Sequence, residues 1–216
     1  MTRGIAEIGA VAPRADAAAA LSVASRELHG LGWMPGTAGN VSVRFGPDSV
    51  LITGSGLGKG RITAADTVLV AVDTGVPVRP NSVRPSAETS IHLAIYHAFP
   101  EAGAVVHAHP PYATALASRT ARACGTSVRF TELELIKGMI GAHHDRLDIP
   151  LFANWPEVPR IAADVTDHFT RRTADHPPGL LIAHHGATTW GTDLAQAMDR
   201  IECLEALCQL VLLVDD

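Results

Sequence analysis

Cysteine is scarce in this sequence: Cys124, Cys203 and Cys208 are the three present among 216 residues. So few, so scattered, they exclude a disulfide framework and a cysteine-based zinc site, and they fit a reduced compartment. Charge is thin as well, at 18% of residues against roughly 25% in an average soluble domain. The 17 basic and 22 acidic side chains leave a net charge of −5, with no basic block. That balance argues against a nucleic-acid binder and against a polybasic membrane-surface protein. Long apolar runs are missing too. The longest, Leu204 to Val214, is interrupted by Glu205 and Gln209 and is too short to span a bilayer. Arg3, Glu7, Arg14 and Asp16 break up the N-terminal stretch, so no secretory signal is expected. At 47% hydrophobic the chain is not disordered. The expectation is a single cytoplasmic domain over residues 1–216, with 1–15 loosely ordered.

What is present is an alternation of helical and strand-like segments. A helix is expected from Asp16 to His29, with Ala18, Leu21, Ala24, Ser25 and Leu28 on one face, stopping at Gly30 and Gly32. Strands follow at 40–45, 50–53 and 68–72, with Asp73-Thr74-Gly75 turning into a strand at 76–79. Ser86 is the expected N-cap of a second helix. Residues 104–109 read as a strand stopped by Pro110-Pro111, and helices are expected at 112–119, 132–143 and 158–171. Further strands fall near Val128, at 149–152 and at 180–183, with 187–190 continuing the last of them. The closing helix starts from an Asp193 or Thr192 cap. This pattern predicts an α/β fold, a single three-layer domain with a central mixed sheet flanked by helices.

Eleven histidines stand out. His107-Ala108-His109 places two imidazoles on the same face of a strand, side by side, which is half of a metal site. Neutral imidazole suits Zn²⁺, and the next candidates are in His184-His185-Gly186, of which one histidine reaches the same metal if the segment is a strand. The glycine after them lets the backbone bend or come close. Three histidines would leave a position open for substrate, as in catalytic sites.

Anion seats are suggested by Gly54-Ser55-Gly56-Leu57-Gly58-Lys59, whose backbone N–H groups could form a nest, and by Ser86 at a helix start. The spacing is neither that of a P-loop nor of a dinucleotide fingerprint. Glu88 there fits the helix dipole. Glu132 and Glu134 open a helix as ordinary surface residues, and His92, His97, His143, His144, His168 and His176 are expected on surfaces or interfaces.

Taken in order, Gly39-Asn40-Val41-Ser42, Thr53-Gly54-Ser55-Gly56, Pro85-Ser86-Ala87-Glu88, His107-Ala108-His109-Pro110 and His185-Gly186 resemble the pattern of the class II aldolase/adducin-like family, over about residues 16–212. Within it, Arg84 to Thr89, Glu134 to Gly138, and Ile149 to Phe152 followed by Asn154 are similar to its dehydratase branch in methionine salvage. The resemblance implies a tetramer with active sites near subunit contacts and one zinc per subunit on His107, His109 and His185. It implies a phosphate seat among Asn40, Gly54, Ser55 and Ser86, with Lys59 assisting. The acid/base it implies is Glu134, whereas in related aldolases it is the glutamate at the position of Glu88. The reaction implied is dehydration of 5-methylthioribulose 1-phosphate, needing no nucleic acid or membrane. The other readings are a ketose-phosphate aldolase and an adducin-like module without chemistry. The lack of a tyrosine near the C-terminus argues against the aldolases.

Overall fold

The computed structural model describes residues 14–142, 144–171 and 176–214. Eight strands are present: β1 (Asn40–Arg44), β2 (Ser49–Thr53), β3 (Thr67–Ala71), β4 (Ala104–Ala108), β5 (Ser127–Thr131), β6 (Arg146–Phe152), β7 (Gly179–Ile182) and β8 (Gly186–Gly191). They form one sheet in the order β3-β2-β1-β4-β8-β7-β6-β5. Every pairing is antiparallel except β6 with β7, so the sheet is mixed, as expected.

The helices are α1 (Arg14–Gly30), α2 (Thr89–Ala98), α3 (Pro111–Arg122), α4 (Ile136–Ile140), α5 (Val158–Thr170) and α6 (Leu194–Val214). They divide between the two faces because strand side chains alternate. Ala104, Val106 and Ala108 of β4 pack into a core with α1, α3, α4 and α6. Val105, one residue out of phase, packs with α2 and α5. The α2 helix is buried at every residue from Ile91 to Tyr96, with His97 exposed near its end.

Four expected elements differ, each for a local reason. Residues 76–79 pair only at one isolated bridge, Pro77 to Val70, because the next rung would need an N–H at Pro80, and the Thr67 carbonyl accepts from Asn81 Nδ2 instead (3.3 Å). The helix expected over 132–143 shrinks to α4: Glu132 and Gly141 take left-handed φ values of 58° and 87°. Ser86 does not cap α2. Its hydroxyl accepts the N–H of Glu88 (3.2 Å) and its carbonyl that of Thr89 (3.1 Å), so it closes a turn that precedes the helix. Residues 187–190 do not continue β7 but return beside it as β8, antiparallel, which puts His184 and His185 in a hairpin turn. The loose N-terminus expected over 1–15 lies outside the described residues, apart from Arg14 and Ala15, which begin α1.

One buried carboxylate ties the end of β4 to the rest of the fold. Glu205 of α6 accepts the N–H groups of Tyr112 (2.9 Å) and Ala113 (2.7 Å), two of the unpaired donors that open α3. Alanine at Glu205 takes the partner from both donors, of which that of Ala113 is buried. That costs about 2–3 kcal/mol and lowers the melting temperature by roughly 5 °C in a calorimetric scan.

Candidate metal centre

Strand register assembles the centre. Asn40 of β1 lies opposite His107 of β4, and Thr188 of β8 lies opposite His107 on its other side. His107 is on the Val105 side of β4 by alternation, so it faces the approach to α2. There Glu88, the residue just before α2, meets it: Glu88 Oε2 is 3.3 Å from His107 Nε2. The other carboxylate oxygen, Oε1, is 2.9 Å from His185 Nε2. His109 lies just past the strand end, where its N–H donates to Trp33 O (2.8 Å), and its Nε2 is 3.2 Å from that of His107.

His185 reaches the cluster from the β7–β8 turn, not from a strand. His184 beside it takes φ 57°, and this left-handed residue lets His185 turn inward. Gly186 makes the approach possible: a Cβ there would come within 2.3 Å of the carbonyl oxygen of Ala108. The close backbone approach expected of this glycine is therefore present.

Three imidazoles and one carboxylate thus bring ligand atoms within 4.8 Å of one another. His107 Nδ1 meets Thr188 Oγ1 (2.9 Å), and with the ring proton on that side Nε2 is the bare nitrogen facing its neighbours. Burial pushes the His107 imidazole down to about 3, and the adjacent rings add to that against the opposing pull of Glu88. Burial and the His185 ring likewise lower His109. Both histidines are therefore neutral, the form that ligates a metal. Burial opposes ionisation of Glu88, but the His107 ring and hydrogen bonds from His185 and Asn40 outweigh it and hold the carboxyl well below its usual range. Imidazole nitrogens and an ionised carboxylate converging on one point fit a divalent cation, which supplies positive charge and displaces any proton shared between them.

The expected phosphate residues have different roles in the structure. Asn40 is engaged by the cluster itself: its Nδ2 donates to Glu88 Oε2 (2.6 Å) and its Oδ1 meets His92 Nε2 (2.5 Å). The backbone nest does not form at Gly54 and Ser55, whose N–H groups donate to Asp66 O (2.8 Å) and Arg84 O (2.9 Å). Gly54 is there for space, since a Cβ would meet Val83 at 2.3 Å. Lys59 is only 1% exposed and donates to the carbonyls of Thr37 (2.9 Å) and Leu57 (3.1 Å). Burial lowers its pKa, while the charge of Glu88 acts the other way.

Glu134 lies elsewhere. It follows β5, the far edge strand, four strand spacings from β4, which is roughly 19 Å of sheet. Its side chain is 82% exposed and paired with Lys137. Two neighbours were not expected among the metal's donors or their partners, although Glu88 was weighed as the acid/base of related aldolases. Glu88 joins the histidines directly, and His92, expected at a surface, is fully buried.

The family model for the class II aldolase and adducin N-terminal domain matches residues 19–212. The chain belongs to the class II aldolase and adducin family. Members of the family with solved structures share the fold along almost the whole chain. An L-fuculose-1-phosphate aldolase from Thermus thermophilus superposes with a TM-score of 0.73 at 27% identity, covering 94% of this chain and 97% of that one. A putative aldolase/epimerase/decarboxylase from Escherichia coli gives 0.78 at 25% identity, covering 93% and 90%. Among relatives by sequence, a methylthioribulose-1-phosphate dehydratase from Microcystis aeruginosa is 40% identical over 88% of this chain and 92% of its own length. A probable bifunctional methylthioribose-1-phosphate isomerase/methylthioribulose-1-phosphate dehydratase from Nocardia farcinica is 52% identical over 92% of this chain. Our chain spans 36% of that longer protein.

Proposed function

We propose that this chain is a zinc-dependent dehydratase that converts 5-methylthioribulose 1-phosphate to 2,3-diketo-5-methylthiopentyl 1-phosphate. The observation that carries the reading is the convergence of His107, His109, His185 and Glu88 in a family whose similar members include named dehydratases for this substrate. No described helix is long and apolar enough to cross a membrane, in keeping with a cytoplasmic enzyme acting on a small sugar phosphate.

The three imidazoles and Glu88 would hold the metal, which supplies Lewis acidity toward the C2 carbonyl when bound. The other functions fall to side chains of the chain itself. The hydroxyls of Ser55 and Ser86 supply donors for the phosphate. Lys59 has three donors, of which two loop carbonyls take two, so one is left for the anion. Gly54 keeps this loop close to Val83 and leaves room beside it. Asn40 holds Glu88. Glu134 takes the C3 proton and delivers one to the C4 hydroxyl as it departs as water. The resulting enol becomes the second ketone by giving up its C3 hydroxyl proton and taking one at C4, so one water is lost and no carbon–carbon bond breaks.

Glu134 is too far across the sheet to serve the histidines of its own chain. We therefore assign it to the centre of a neighbouring copy in a homotetramer, whose closed symmetry repeats the contact at every site. Contact with that copy would also supply the partial burial an acid/base needs, which a single chain does not give it.

A second reading has its own observation. Glu88, not Glu134, touches two of the histidines within one chain. As the base it would suit an aldolase that breaks the C3–C4 bond. Mass spectrometry of products from the zinc-loaded protein and 5-methylthioribulose 1-phosphate separates the two readings. Loss of one water without fragmentation is the expected result. Dihydroxyacetone phosphate with a methylthio aldehyde would replace the dehydratase by the aldolase. Unchanged substrate would remove both.

A further inference from the structure

A line of buried polar side chains leads away from the metal centre through Asn40 to Ser42, His92 and Tyr96, which have no part in the chemistry above. Asn40 and Ser42 are two apart on β1 and share one face, while His92 and Tyr96 are four apart on α2 and share the face that meets it. The contacts interlock. His92 Nε2 meets Asn40 Oδ1 at 2.5 Å, His92 Nδ1 meets Ser42 Oγ at 2.7 Å, and Ser42 Oγ meets Tyr96 Oη at 2.9 Å. All four residues are buried, so they have one another as partners in place of solvent.

The donor and acceptor inventory gives this line one direction. The Glu88 carboxylate only accepts, so Asn40 must present its Nδ2 to it and its Oδ1 to His92. Oδ1 carries no proton, so the proton of that contact is on His92 Nε2. Burial holds His92 down to about 4 against the opposing charge of Glu88, so the ring is neutral and Nδ1 is bare. Nδ1 must then accept the Ser42 hydroxyl, and the Ser42 oxygen accepts from Tyr96. Every hydrogen bond from Tyr96 onward therefore points toward Glu88, and aligned bonds of this kind reinforce each other in a buried setting.

We propose that His92 is a positioning residue: locked as its Nε2–H tautomer, it orients the Asn40 amide and so fixes Glu88 as the fourth donor of the metal centre. Without the His92 N–H nothing holds Oδ1 on its side. The amide can then rotate to face the carboxylate with an oxygen, and the two acceptors push Glu88 out of line. The inference rests on the metal-centre reading above.

The test uses the full-length, metal-free protein loaded with Zn²⁺ or Co²⁺ against a chelator. His92→Phe keeps the ring but removes both nitrogens, and should weaken binding at least about tenfold, the range for an outer partner of a ligand. It should also shift the visible Co²⁺ spectrum to that of Glu88→Gln. His92→Gln, with a donor at one end and an acceptor at the other, should restore affinity to within about threefold of the parent. Parent-like affinity and spectrum in His92→Phe would overturn the proposal. If that variant fails to melt cooperatively, Ser42→Ala carries the test with the same spectral shift expected, and a parent-like spectrum there overturns it. ¹⁵N-histidine NMR of the metal-free parent gives a readout that needs no metal. A proton on Nε2 and none on Nδ1 is expected, and the reverse overturns the assignment. A parent that takes up neither ion fails the metal-centre reading instead, and the tautomer still decides the role of His92.

Discussion

Alanine in place of His107 empties the metal centre. His107 is the central donor, touching both Glu88 and His109, and its far nitrogen is anchored on Thr188. Structural zinc in small sites binds with about 10–16 kcal/mol, so one ligand of four carries roughly 3–4 kcal/mol, or about 10²–10³ in affinity. The purified variant should contain little metal, and its turnover should fall to background. Metal analysis beside a thermal melt checks this, with His97→Ala as the control because that histidine is exposed and pairs only with Asp73 among the contacts described. Full metal content in a folded His107→Ala protein would remove His107 from the ligand set.

Glutamine at Glu134 should abolish turnover and leave the metal in place. Its second consequence is more telling. If Glu134 serves the neighbouring subunit, two dead variants complement each other. In an oligomer mixed equally from His107→Ala and Glu134→Gln chains, each site takes its histidines from one chain and its glutamate from the next. Roughly a quarter of the sites then combine two intact halves. Co-expressed chains should recover about that fraction of activity, while chains purified apart show none. No recovery in a stable mixed oligomer would return Glu134 to its own chain or remove it from catalysis.

Period-2 alternation made the His107–His109 pair legible, because both residues sit at or just past the end of a strand whose pattern is plain. The third histidine followed from resemblance, and the expected geometry around it was wrong. Adjacent strand residues face apart, but His184 and His185 are in a turn, where a left-handed φ decides direction and no periodicity applies. Glu88 was read as a dipole partner because the helix was expected to start at Ser86. Starting three residues later, α2 leaves Glu88 at its threshold, free to point into the centre. A usable signal for His92 was available: flanked by Ile91, Leu93, Ala94 and Ile95 it is in the apolar stretch of the helix, so it must find a buried partner. The nest expected in the glycine-rich loop shows the opposite case: the Gly54 and Ser55 N–H groups looked free in one dimension and are taken by Asp66 and Arg84 in three.

The hairpin that delivers His185 has a thermodynamic side. The four donors come from the threshold of α2, the end of β4 and the β7–β8 turn, segments separated by up to 97 residues between Glu88 and His185. An unfolded chain does not hold them together, so a cation binding there selects the folded state alone. Its occupancy then adds to global stability by mass action, about 4 kcal/mol when free metal stands at a thousand times its dissociation constant. Metal supply and resistance to unfolding become one linked equilibrium. The junction of β4 with the hairpin, closed in the metal-free protein by backbone pairing and the His107–Thr188 contact, is where starvation for metal would first be felt as accelerated amide exchange.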